Sequence, residues 1–309
     1  VSEALQHNID HLFVPAKGKS AEQEKISRPP LSAFQDSWIR LKKNKAAMVS
    51  LVILIILGLM AIIGPWLTSY SYFATDYTAS FQKPNAEHWF GTDKFGRDQW
   101  ARVWYGTRIS LLIAVLAATL DLIVGVAYGA ISAIAGGKVD NVMQRIVEIL
   151  IGVPSLIIII LMLMIMKADI FTIMIAMSIT GWVNMARLVR AQVLKLKSQE
   201  FVLAARTLGT SGTRIVFKHM IPNTIGIVVI NTMFTIPTAI FTEAFLSFIG
   251  LGLQAPKASL GVLIQDGFQM INSHYYLLLM PVVIIVALMV TFNILGDGLR
   301  DALDPRMRK

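Results

Sequence analysis

The stretch QEFVLAARTLGTSGTRIVFKHMIP, Gln199–Pro222, is a polar, basic interlude between long apolar runs. Phe201-Val202-Leu203-Ala204-Ala205 reads as one short amphipathic helix. Gly209 supplies its break, because glycine tolerates the left-handed backbone that stops a helix. Thr210, Ser211, Gly212 and Thr213 form a turn cluster, in which Ser211 or Thr213 can cap a second short helix. Ile215-Val216-Phe217 then lead to Pro222, which suits the first turn of the next long helix. A helix–glycine–turn–helix unit of this kind reads as a solvated connector or as a docking surface. The docking reading rests on the small side chains of Ala204 and Ala205, which let a partner approach closely. Arg206, Arg214 and Lys218 add positive charge around them.

The flanking runs set the class. Of 309 residues, 55% are hydrophobic and 15% charged, with mean hydropathy +0.62; a soluble domain would carry about 25% charged residues. Several runs reach the roughly 20 residues with which a helix crosses a bilayer. The chain is therefore read as an all-α integral membrane protein. Its six spans are Ala46–Leu67, Thr107–Ala135, Val142–Met166 bent near Gly152 and Pro154, Ile170–Val189, Ile221–Gly250 and Leu277–Leu295. Residues 1–45 form an N-terminal tail that ends in an amphipathic helix, with Leu31, Phe34, Trp38 and Leu41 three and four apart. The first span occupies 46–68, an external loop 69–106, a five-helix core 107–301 with the 198–221 loop inside it, and a short tail 302–309. The opening tail is polar, so no removable signal peptide is read and the first span serves as an uncleaved anchor.

Charge orients the spans. With both termini and the Gln199–Pro222 stretch in the cytoplasm, about 21 of the 28 Lys and Arg fall inside; the inverted arrangement reverses that bias. The net charge of +9 thus belongs to membrane flanks and implies no nucleic acid. There is no cysteine, so no disulfide and no thiolate metal site. His7 and His11 stand at helical spacing with only Asp10 nearby, which makes no metal centre. Gly125, Gly129, Ala133 and Gly137 are four apart, a row of small residues that lets helices pack closely. Asp121, Glu148 and Glu243 are the carboxylates within spans. They either make structural hydrogen bonds or relay ions. His88, Asp93 and Asp98 lie in Gly-Thr-Asp and Gly-Arg-Asp turns, whose chemistry explains the carboxylates without catalysis. No ATP-binding Gly-x-x-x-x-Gly-Lys-Ser/Thr pattern is present, since Ser132 precedes Gly137-Lys138-Val139 where glycine is required. No nucleophile–base pair is legible either.

Several motifs resemble one family. Ala204, Ala205, Gly209 and Pro222 fall on the cytoplasmic coupling pattern of ABC importer permeases, Glu-Ala-Ala, three residues, Gly, nine residues, Ile-x-Leu-Pro. Leu203 stands for the Glu, His219 for the Ile and Ile221 for the Leu. The Leu203 departure removes a carboxylate available to a basic group on the ATPase. His88 to Asp98, followed by Tyr105-Gly106-Thr107-Arg108-Ile109-Ser110-Leu111, is similar to the signature before the second span of dipeptide and oligopeptide permeases. Ala186 to Arg190 is also similar to that family. So are Glu243 to Gly252 with Pro256 and Ser259-Leu260-Gly261, although Leu260 replaces a Trp, and Gly298 to Arg306.

The resemblance implies a type I ABC importer permease in the bacterial cytoplasmic membrane, moving di- or oligopeptides by alternating access. It implies a second related permease, two ATPase subunits that bind the ATP and Mg, an external or periplasmic binding protein, and surrounding lipid. This chain itself would bind no cofactor or metal and would not be an enzyme. Nickel and glutathione permeases share the same signatures. An ion-driven secondary transporter using Asp121, Glu148 and Glu243 is the reading of another class.

Overall fold

The computed structural model describes residues 33–166 and 169–303. The tail with His7, His11 and Leu31 lies outside the described residues, as do residues 304–309. Helix α1 (Ala33–Lys43) carries Asp36 in its first turn and Arg40, Lys42 and Lys43 in its last, which complements the helix dipole. It begins in an N-terminal unit that ends at Ile39; the structure from Arg40 onward is a second unit. Asn44 separates α1 from α2 (Lys45–Ile63), and its side chain caps α2 by accepting from the Ala47 N–H at 3.1 Å.

Helix α3 runs from Gln99 to Ala135, 37 residues. The sequence placed its start at Thr107. It starts earlier because Asp98 is an N-cap, accepting from the Ala101 N–H at 2.8 Å. At about 55 Å it exceeds the roughly 30 Å apolar layer, so its first turns stand beyond that layer. Its C-terminus turns at Gly136 and Gly137, both in left-handed backbone, into α4 (Gly137–Gly152). The third span of the sequence reading is a broken one: α4 and α5 (Ser155–Ile165) meet at 80°. Val153, just before Pro154, is extended, as a pre-proline residue must be, and no helix passes through it.

Helix α6 (Ile170–Lys197) continues well past Val189. It runs parallel to α3, and the small-residue row makes the contact. A Cβ on Gly125 would lie 2.5 Å from the Met185 Cβ, and one on Gly129 would strike the Ala186 carbonyl. Ala133 is fully buried in the same seam. Gly137 is not part of it: its α-carbon faces open space, and its use is the turn. Next come α7 (Glu200–Thr207) and α8 (Gly212–Ile215), then a π-helical turn over Val216–Met220. The last elements are α9 (Ile221–Phe248), α10 (Leu260–Gln269) and α11 (Tyr276–Leu303). The sequence reading missed α10, which is too short to span.

Among the described residues five helices are long and apolar enough to cross a membrane, or six if the bent pair is one span. Close contacts fix their directions. Trp100 Nε1 donates to the Gly64 carbonyl at 2.8 Å and Arg108 Nε to the Ala61 carbonyl at 2.8 Å, so α2 and α3 are antiparallel. At the other end Gly298 of α11 abuts Ala47, so α2 and α11 are antiparallel too.

Residues 69–98 fold back on the start of α3 and α11. The turn chemistry expected from the sequence is what holds them. Asp93 Oδ1 accepts the Phe95 and Arg97 N–H groups at 2.9 and 3.0 Å, and its Oδ2 pairs with Arg97 Nε at 2.7 Å. His88 Nδ1 lies 2.8 Å from Asp98 Oδ1, both buried. Gly91 and Gly96 take positive φ at the two turns.

Candidate functional site

The Gln199–Pro222 stretch folds as its residues dictate. Gln199 is extended (ψ 145°), which breaks α6 from α7. At the far end Gly209 has φ +78°. Its N–H donates to the Arg206 carbonyl at 2.9 Å, and the Thr210 N–H to the Ala205 carbonyl at 3.0 Å. That is a Schellman ending, which satisfies carbonyls otherwise left open. Ser211 stands at the next N-cap through its backbone, since its carbonyl accepts the Ile215 N–H at 3.0 Å. Pro222 lies in the first turn of α9, where it lacks nothing.

Helix α7 has one inward anchor. Val202 is fully buried among Val189, Val193, Ile215, Val216 and Met220, and Ala205 is half-buried against the same cluster. The opposite face is open: Glu200, Ala204 and Thr207 lie on it, with Phe201 and Leu208 on one flank and Leu203 on the other. Leu208 is 85% exposed and Leu203 48%. Arg206 of α7, Arg214 of α8 and Lys218 of the π-turn are exposed, and among the described residues none of them forms an ion pair. His219 sits half-buried in the π-turn, its carbonyl accepting from Asn223 Nδ2 at 2.6 Å. Of the two alanines singled out by the sequence, the structure leaves only Ala204 facing outward. Four exposed apolar side chains on so short a helix suit a partner with an apolar groove.

The profile of the binding-protein-dependent transport system inner membrane component family matches residues 125–309. That of the N-terminal TM domain of oligopeptide transport permease C matches residues 32–84. The oligopeptide transport system permease protein OppC of Bacillus subtilis is 48% identical over 99% of this chain and 100% of its own length. The dipeptide transport system permease protein DppC of the same organism is 48% identical over 98% and 96%. The chain belongs to this permease family. The fold agrees: a structure titled as inward-facing conformations of the MetNI methionine ABC transporter superposes with TM-score 0.53 at 20% identity, over 66% of this chain and 94% of that one.

In this permease the three polar span residues are kept apart. Glu243 is fully buried and hydrogen-bonded at both oxygens: it accepts from the Ser110 hydroxyl at 2.7 Å and the Ser247 hydroxyl at 2.8 Å. Ser110 in turn accepts the Leu260 N–H at 3.1 Å, and Ser259 Oγ lies 3.4 Å from Ser247 Oγ. Gly252 and Gly261 are there because a Cβ on either would collide with Ser247 or Ala244. The similar-looking segments around Ser110, Glu243 and Ser259 thus meet in one knot joining α3, α9 and α10. Asp121 is buried against Gly181 of α6, with Oδ1 unpartnered. It lies eleven residues along α3 from Ser110, about 16 Å of axial rise. Glu148 departs from the sequence reading. It is exposed on α4, paired with Arg145 at 2.6 Å, because α4 turns away at the 80° break.

The sequence reading missed Asp140 and Lys197. Asp140 pairs with Arg190, and Lys197 Nζ donates to the Ala133 carbonyl at 2.6 Å. The signal for Asp140 was its place three residues after the Gly136-Gly137 reversal.

Proposed function

We propose that this chain is the permease subunit of an ATP-driven importer of di- or oligopeptides. It works with a second related permease, two ATPases that carry the ATP and Mg, and an external binding protein. The observation that carries the ATP-driven reading is the open α7 face: Phe201, Leu203, Ala204 and Leu208 exposed on a short helix whose other side is anchored by Val202. ATP closing the two ATPases would carry α7 with it, tilt the spans and open the path outward; hydrolysis would reset the inward state. Both termini and α7 lie in the cytoplasm in this account, as the positive charge favours. Peptide as substrate rests on the names of the oligopeptide and dipeptide permeases that resemble the chain along nearly its whole length.

The separation of Asp121, Glu148 and Glu243 speaks against an ion relay. Uptake of a labelled tripeptide into vesicles holding the assembled complex tests the choice. The expected result is uptake that needs ATP and survives ionophores. Uptake abolished by ionophores and indifferent to ATP would overturn the proposal.

A further inference from the structure

Behind α7, at the ends of α3 and α6, a polar network joins the two helices. Gly136 and Gly137 have φ +62° and +53°, so α3 reverses sharply and α4 brings Asp140 back beside Ser132. The Ser132 hydroxyl donates to Asp140, and Gln144 Nε2 donates to that hydroxyl at 3.0 Å. Arg190 of α6 clasps both carboxylate oxygens, Nε to Oδ1 at 2.7 Å and Nη2 to Oδ2 at 2.6 Å. Lys197, two turns further along the same side of α6, donates to the Ala133 carbonyl at 2.6 Å and reaches the Ile134 carbonyl at 3.3 Å. These are carbonyls left open at the end of α3, where a cation is favoured.

We propose that Asp140 and Arg190 are positioning residues for transport, coupling α7 to the spans through the α3–α4 reversal. The proposal rests on the reading of α7 as the ATPase-docking helix. A displaced α7 is linked to α6 by Ser198 and Gln199 alone along the chain, and by Val202 and Ala205 in packing. A bidentate charge pair fixes orientation as well as distance, which non-directional apolar contacts do not. With Asp140 held by Arg190, motion at the end of α6 must carry the end of α3. Helix α3 reaches the Ser110–Glu243 knot with α9, so the same motion arrives in the core of the bundle.

The test uses the complete complex in proteoliposomes and reads tripeptide moved per ATP hydrolysed. Asp140→Asn is expected to assemble and hydrolyse ATP while this ratio falls at least about tenfold. The exchange Asp140→Arg with Arg190→Asp is expected to bring the ratio back to within about threefold of the native value. An assembled Asp140→Asn complex with the native ratio overturns the proposal. So does a variant that fails to assemble and whose exchange partner assembles without recovering the ratio. Ala204→Glu separates this from the underlying reading. If it leaves the ATPases attached, the docking reading fails; if it detaches them while Asp140→Asn keeps the native ratio, only the present proposal fails.

Discussion

Two regions of the permease handle polarity in opposite ways. In the Ser110–Glu243–Ser247–Ser259 knot every polar group is buried and answered from within the chain. On α7 the backbone is satisfied by its own ending at Gly209, but Phe201, Leu203, Ala204 and Leu208 stay exposed. The first region is finished; the second is complete only as backbone. A surface that a chain leaves apolar, while elsewhere spending glycines and serines on close packing, is one that another molecule covers.

Breaking the finished region should cost the most. Glu243→Ala strands the Ser110 and Ser247 hydroxyls in a dry site. At about 1–3 kcal/mol for each orphaned group, folded permease in the membrane should fall severely. Glu243→Gln keeps the shape and two acceptor lone pairs and should fall less. Normal levels of the Ala variant would mean the knot contributes little. Overpacking ranks next. Gly129→Leu drives a side chain into the Ala186 carbonyl, so the α3–α6 seam must open at a cost of about 1–3 kcal/mol or more. Gly137→Ala, outside the seam, should be milder, since only its left-handed backbone resists.

Gly209 sharpens the comparison from the open side. Nothing lies within 4 Å of a Cβ placed there, so only its φ of +78° opposes substitution. Gly209→Val should therefore cost about 1–2 kcal/mol locally and misplace α8. Gly209→Asn, which tolerates that backbone, should be close to native in ATP-dependent uptake. Equal loss in both variants would point to a contact made by the glycine itself. The smallest effect belongs to the exposed Asp169–Lys257 pair. The hydrogen bond from Lys257 holds the Asp169 carboxyl below its ordinary range, with the Ile170 N–H adding to it. With a depressed folded pKa, the contribution is present above the unfolded value of about 3.9 and is lost as pH falls through the folded one. Neutral-pH stability should thus be flat, and Asp169→Asn should cost less than about 1 kcal/mol by thermal melting in detergent.

The spans, the bend at Pro154 and the turns at Gly91, Gly96 and Gly209 were legible because each rests on local chemistry. Apolar length, a proline without its N–H and a glycine at positive φ can all be read within a few residues. The seam of Gly125, Gly129 and Ala133 was legible by spacing, but the helix it meets was not. What escaped depended on distant chain. Whether Glu148 is buried depends on the angle at a break, and whether Ala204 or Ala205 faces out depends on where Val202 finds its pocket. Ser110 and Glu243 meet across 133 positions, and no local pattern announces such a partner. Asp140 was not singled out by its neighbours in sequence, because its partner Arg190 is supplied by α6.

The central claim, that the open face of α7 is covered by an ATPase, has a direct measurement in a chain that contains no cysteine. Ala204→Cys and Val202→Cys are placed in otherwise native complexes, and each is tested for crosslinking to cysteines on the ATPase surface. The account predicts a crosslink from position 204, protection of that thiol from aqueous maleimide when the ATPases are bound, and neither at position 202. An Ala204→Cys thiol that stays equally reactive with and without the ATPases, and forms no crosslink in an active complex, would contradict it.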